Sequence, residues 1–403
     1  METKRLLLLP LPLNAPQGLS SLYGIMYTEC DEHFNPLGKS ELLTLRSLDY
    51  CMPSPGYLYA QHIDPYTLDE GLSEDEFLNR IEHLFNEDTI IYTWSLGNLK
   101  ILNQLCQRNL REDLLITRPR CIVDLNLCLK VHELFKEGDC SRSSNLERLC
   151  KKYKLCDEAD NQNFLHKLML LKGMAQYLNS VNPHLLAYMS RDLCLHKKEI
   201  EKALLENKYL FELNLHDECT EILKPLALEH NTLTALCFDG GQVLKKVYDL
   251  YDYTLLAPSG VLTLERQRLL NLDLLDAKSY LLNVPPQQPT VLHERRPRSF
   301  ECFTKEERDF IRKLRTEGVH EAVFLEQSSA KFQKYLLLYY GTNHQKLLAD
   351  RELKSYYALC RQYLEKQLPR YFNELNTLYG MSADPNRGSL LEKIRHYPLE
   401  RSL

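Results

Sequence analysis

No acidic residue occurs between Lys4 and Gly24, and no Cys-x-x-C pair occurs anywhere among the 13 cysteines. The nearest two, Cys150 and Cys156, stand six positions apart, which excludes the usual zinc-site spacings. An odd cysteine count also argues against a complete disulfide framework. Long apolar runs are missing as well. Leu6–Leu9, extended to Leu13 only through two prolines, falls far short of the roughly 20 residues that cross a bilayer. Lys4 and Arg5 before that run resemble the start of a secretory signal, but no small-x-small cleavage site follows, and a first buried strand is the better reading. The phosphate-loop pattern fails too, because His33 stands where Gly38-Lys39-Ser40 would need a leading glycine. Neither a G-x-S-x-G elbow nor a helicase motif set accompanies the string Asp157-Glu158-Ala159-Asp160.

What is present is the balance of a globular protein of two or three domains: 403 residues, 44% hydrophobic and 26% charged. The net charge of -5 excludes bulk polyanion binding, so any nucleic-acid contact must come from a local basic stripe. Cysteines such as Cys128 and Cys237 sit in apolar contexts and read as small hydrophobes in a reduced, cytoplasmic chain.

Up to about Ser180, strands alternate with helices. Leu6–Leu9, Leu22–Tyr27 and Thr89–Tyr92 read as strands. Ser73 and Glu76 form a capping box ahead of Phe77, Ile81 and Leu84, and helices are expected near 124–135, 146–153 and 160–177. That alternation predicts an α/β arrangement around one sheet. From Val181 to Val284 strand-like runs at 209–215, 232–238 and 253–256 predict a smaller β-rich domain, with Asp239-Gly240-Gly241 supplying a turn. Asn283–Thr290 reads as a stiff linker whose prolines exclude helix and sheet pairing. Beyond Thr304 the pattern is helical, and Phe310, Leu314, Leu337, Tyr340, Tyr356, Tyr357, Leu364 and Phe372 are expected to pack a bundle core rather than stack on bases.

Four stretches resemble bacterial exonuclease I, a DEDD-type enzyme of the DnaQ-like superfamily that degrades single-stranded DNA from the 3′ end. They are Pro53–Phe85, Leu146–Leu155, Lys224–Gly241, and the series FTKEERDFIRKL, KFQKYLLLYY and RQYLEKQLPRYFNEL. Their order matches the family across nearly the whole chain. The resemblance implies an RNase H-like exonuclease domain over 1–180, an SH3-like domain over 181–298 and a helical domain over 299–403.

It also implies four carboxylates holding two divalent cations, with a histidine placing the attacking water. The matching positions here are Pro10 and Pro12 on the first strand, Asn98 or Leu99 after the next, and Asn161 and His166 on the last helix. Magnesium is a hard ion that wants oxygen ligands, and imidazole serves it poorly. The expectation is therefore a pseudoenzyme with no catalytic residue, no metal ligand and no cofactor. The alternative is an active exonuclease, supplied with magnesium by a relocated set such as Asp124, Asp157 and Asp160. Acids at a helix start are more ordinarily explained by the helix dipole. A third possibility is a protein-interaction scaffold with no role in nucleic-acid binding.

Single-strand binding needs cations beside stacking aromatics. Arg295, Arg296 and Arg298 beside Phe300, and Lys331 and Lys334 beside Phe332 and Tyr335, are the candidates. Solvated helix faces explain the same lysines equally well. The family also docks the tail of single-stranded DNA-binding protein, and Lys136 and Arg148 lie near the matching region. A monomer without a membrane contact, acting in DNA processing or repair, completes the expectation.

Overall fold

Alternation of leucines builds the first sheet. β1 (Lys4–Pro12) sends Leu7, Leu9 and Leu11 to one face and Leu6 and Leu8 to the other, so both faces of the strand are buried and it reads as nearly continuous leucine. The computed structural model describes residues 3–13, 21–99, 101–111, 121–139, 141, 143–156, 164–191, 193–214, 219–229, 232–239, 242–250, 255–283, 287–292, 303–325, 327–381 and 388–401. β1 pairs antiparallel with β2 (Leu22–Cys30), which pairs with β3 (Glu41–Thr44). On its other side lie β4 (Thr89–Thr93) and β5 (Cys121–Asp124), both parallel to it, giving the order β3-β2-β1-β4-β5.

α1 (Pro55–Ala60) follows the third strand. α2 (Glu74–Ile81), α3 (Leu96–Leu99) and α4 (Ile101–Arg108) cover the Leu6/Leu8 face through Phe77, Leu99 and Leu105. The capping box at Ser73 and Glu76 is present. The other face is covered by α5 (Leu125–Glu137), α6 (Leu146–Lys152) and α7 (Phe164–Val181), through Cys128, Leu149 and Leu171. α5 is shared: Leu127 and Val131, on its opposite side, enter the core of a second sheet with Phe211 and Ile222.

Before that second sheet the chain is helical, not β as expected from Val181. α8 (Pro183–Met189) is capped by Asn182, and α9 (Leu193–Leu205) follows it. The strands are β6 (Leu210–Asn214), β7 (Cys219–Glu229), β8 (Thr232–Asp239), β9 (Gln242–Asp249), β10 (Leu255–Pro258) and β11 (Gln287–Leu292), in the order β10-β6-β7-β8-β9-β11. Ile200 and Ala203 of α9 cover one face, and the short α10 (Leu264–Leu269) and α11 (Leu274–Asn283) lie between β10 and β11, with Ala277 and Leu281 covering the other face.

The linker expectation for Asn283–Thr290 is corrected here. Asn283 ends α11, and Gln287–Leu292 pairs parallel with β9. β11 lies at the sheet edge, the position where a strand can carry a proline without losing a ladder bond.

The rest is helical: α12 (Lys305–Glu317), α13 (Ala330–Asn343), α14 (Asp350–Met381) and α15 (Gly388–Arg401). As expected, the aromatics go mostly inward. Tyr340 and Tyr356 are fully buried with Leu314, while Tyr357 faces solvent. Leu48, Tyr50 and Leu110 from the first part of the chain enter the same core, so the helices pack directly onto it.

Candidate nucleic-acid interface

In open α/β sheets, binding sites form outside the carboxyl ends of the parallel strands. Here those ends are Pro12, Thr93 and Asp124. Backbone geometry explains why prolines are tolerated in a central strand. Lys4 N–H donates to Asp88 O at 2.9 Å, toward β4, while Leu13 N–H donates to Ser21 O at 2.9 Å on the β2 side. Period-2 alternation therefore turns the nitrogens of Pro10 and Pro12 toward β4, and pairing with β4 stops at Leu7↔Tyr92. No ladder bond is lost. Pro10 is buried and Pro12 half-buried, so neither brings an anionic oxygen to the end of the strand.

Asp124 carries a carboxylate at the end of β5, and each of its oxygens accepts from a backbone N–H. Oδ1 accepts from Leu127 N–H at 2.9 Å and caps α5; Oδ2 accepts from Leu96 N–H at 3.0 Å and holds the start of α3. Burial pushes its carboxyl above the ordinary range despite these bonds. Asn98 is exposed on α3, Leu99 is fully buried, and His166 is half-buried in the first turn of α7. Asp157, Glu158, Asp160 and Asn161 lie outside the described residues.

Two hard cations need several free carboxylate oxygens. The described residues at this end of the sheet do not fit them. Among the described residues no three His, Cys, Asp or Glu side chains gather into a metal-binding group.

An apolar cluster closes this end instead. Leu13, Met52 and Leu58 pack with Tyr371 and Leu375 of α14 and Ile394 of α15, and Tyr23, Tyr57 and Phe164 pack against them. The rings of Tyr23 and Phe164 stand 5.1 Å apart. Burial raises the Tyr57 and Tyr23 hydroxyl pKa values, so both stay neutral donors. Polar clasps hold the strand-following loop to α14. Ser54 Oγ donates to Glu374 Oε1 at 2.6 Å, Gly56 N–H donates to the same oxygen at 3.1 Å, and Met52 N–H donates to Gln367 Oε1 at 2.9 Å. One turn past Phe164, Lys167 Nζ donates to Gln61 Oε1 at 2.7 Å.

The sequence-predicted binding residues divide. Arg295, Arg296, Arg298 and Phe300 lie outside the described residues. Lys331 and Lys334 are exposed on adjacent turns of α13. Their aromatic neighbours correct the stacking idea: Phe332 is fully buried, packed edge-on against Phe303, and Tyr335 is half-buried. Lys334 lies over Tyr363 instead, 4.7 Å from the ring centre, beside an open groove of about 800 Å³ that also includes Arg351, Leu337 and Leu359. Lys136 and Arg148 are exposed on α5 and α6, neighbours joined by the buried Glu133. Glu133 accepts from Lys152 Nζ at 2.6 Å, from Tyr153 and from Ser141 N–H at 2.7 Å. Lys167, Arg351 and Tyr363 were not singled out from sequence, because a lone cation at helical spacing carries no local signal.

No protein-family model and no curated protein matches the sequence. Solved structures do match. A structure of exonuclease I, described as suggesting how processivity is achieved, superposes with a TM-score of 0.77 at 17% identity, covering 99% of both chains. The zinc-bound form of the E. coli exonuclease I complex with single-stranded DNA gives 0.75 at 18% identity over 100% of both chains. An SSB/exonuclease I structure holding an inhibitor gives 0.77 at 18% identity, again over 100% of both. The fold is that of exonuclease I. Pro10, Pro12 and Asp124 stand at or near the carboxyl ends of the parallel strands in the first sheet of that fold.

Proposed function

We propose that this chain is a catalytically inactive exonuclease I-like protein that binds single-stranded DNA or a DNA-processing partner and acts as a monomer. The observation that carries the reading is the pair Pro10 and Pro12 at the end of β1, together with an Asp124 whose two oxygens are already bonded to backbone N–H groups. A metal-assisted displacement needs charged oxygens there. Solved structures of the same fold include complexes with single-stranded DNA and an SSB/exonuclease I structure, which supports both classes of partner. Arg295, Arg296, Arg298, Lys331 and Lys334 are the proposed DNA contacts, and Lys136 and Arg148 the proposed contacts for the acidic tail of single-stranded DNA-binding protein.

The test is a 3′-labelled oligo-dT incubated with magnesium or manganese and, separately, titrated with the chain at several salt concentrations. The expected result is salt-sensitive binding without mononucleotide release. Steady release would establish the active alternative. Absence of any salt-sensitive binding would leave the scaffold reading.

A further inference from the structure

We infer that Lys167 takes the DNA phosphate charge at the sheet end of this fold, so that the chain grips a single strand there without divalent ions. The inference deepens the proposed function and rests on it. Lys167 lies on α7 one turn after Phe164, whose ring packs on Tyr23 beside the carboxyl end of β1. Its ammonium is half-buried, and the bond made to it among the described residues runs to Gln61 Oε1, a neutral amide oxygen 2.7 Å away. No carboxylate among the described residues lies within ion-pair distance of it.

An ammonium has three donors, and a partly desolvated cation whose direct hydrogen-bond partner is neutral gains more from an incoming anion than a solvated surface lysine does. Burial lowers the pKa of this amine from its ordinary value, and the Glu147 carboxylate, beyond ion-pair distance, offsets that only in part. Aromatic side chains lie in the same region: Tyr23, Tyr57 and Phe164 are half-buried at the edge of the apolar cluster, Phe164 one turn before Lys167. Half-exposed rings near a cation are the kind of combination that holds single strands. Metal ions in a nuclease neutralise the phosphate while they activate water. A lysine here neutralises without activating, so binding is kept and cleavage is not.

The experiment measures binding of 3′-fluorescein oligo-dT to the full chain in EDTA and in magnesium, for wild type, Lys167→Met and Lys167→Arg. Wild-type binding is expected to persist in EDTA, with magnesium giving no increase in affinity and only the weakening of a competing counterion. Lys167→Met should lose about tenfold in affinity, the size of one hydrogen bond to a charged group. Its slope of log affinity against log salt should fall by about 0.7, the loss of one single-strand phosphate contact. Lys167→Arg should retain most of the binding. An oligonucleotide with methylphosphonates at its 3′-terminal linkages should bind wild type and Lys167→Met equally weakly, because the two losses are the same contact. Circular dichroism melting checks that the variants fold. If wild type binds and Lys167→Met binds as tightly, or the slope is unchanged, the inference is wrong while the proposed function stands. If wild type does not bind oligo-dT at all, both fall.

Discussion

Arg315 on α12 places Nη1 3.0 Å from Oδ1 of Asp75, a residue 240 positions earlier in the first turn of α2. The same guanidinium donates through Nε to Leu110 O at 3.3 Å and through Nη2 to Asn109 O. One side chain therefore satisfies a carboxylate and two backbone carbonyls of the first part of the chain. Asp75 is shared with Arg111, whose Nη2 lies 2.9 Å from the same oxygen. Removing Arg315 leaves two carbonyls short of a donor, and partial exposure of the pair limits the cost. Arg315→Met is expected to lose about 1–3 kcal/mol, read from the urea midpoint. Arg315→Lys should recover under half of that, because a point charge cannot span three acceptors. A Lys variant as stable as wild type would show that charge alone matters.

The Asp75 carboxyl gives this junction a pH dependence. Burial raises its pKa, but the guanidiniums of Arg111 and Arg315 more than offset that and hold it below the ordinary carboxylate value. A carboxyl depressed in the folded state stabilises above its unfolded pKa of about 3.9 and loses that contribution as pH falls through the folded value. The stability difference between wild type and Asp75→Asn should therefore be constant above about pH 5 and shrink steadily below about pH 4. Denaturant unfolding at a series of pH values checks it. A gap unchanged down to the acid limb would remove Asp75 from the account.

The Arg315–Asp75 junction also marks the limit of what the sequence told. Elements with a local signature were legible: the Ser73–Glu76 capping box, the leucine alternation of β1 and the apolar strand β4 are where the spacing predicts them. β11 was misread because Pro289 forbids only one side of a ladder, and which side faces solvent depends on the edge position, a tertiary fact. α8 was missed although Asn182 followed by Pro183 is a local helix start, because the apolar runs that follow were read as strands. At the candidate site the absence of any acidic side chain along β1 could be read directly. That Asp124 was spent on two backbone donors, and that Lys167 meets Gln61 across 106 positions, could not.

Gly341 in α13 separates helix propensity from packing. A methyl there would gain about 1 kcal/mol as helix former over glycine on an exposed face. A Cβ at Gly341, however, would sit 2.2 Å from Cδ2 of Tyr356. That ring is fully buried, and its hydroxyl donates to Asp49 Oδ2 at 2.9 Å, so it cannot swing aside cheaply. Gly341→Ala is expected to lower stability by about 1–3 kcal/mol through overpacking. Adding Tyr356→Leu should make the alanine less costly, measured as a coupling in a double-mutant cycle. Additive effects would mean that the two helices relax around the methyl.

Magnesium distinguishes a spent carboxylate from a metal ligand at Asp124. A cation that binds only the folded chain stabilises it by about 2.7 kcal/mol at a hundred times its dissociation constant, enough to move a melting curve by degrees. With both Asp124 oxygens bonded to backbone N–H groups and prolines at the end of β1, millimolar magnesium should leave the melting temperature unchanged. Asp124→Asn can keep the cap of α5, which asparagine makes about as well, but sets an amide NH2 against Leu96 N–H, so it should cost about 1–3 kcal/mol through that unpaired donor while leaving oligo-dT affinity within about twofold of wild type. A magnesium-dependent rise in melting temperature that Asp124→Asn abolishes would instead make this carboxylate a ligand, and the chain a nuclease with its metals held differently.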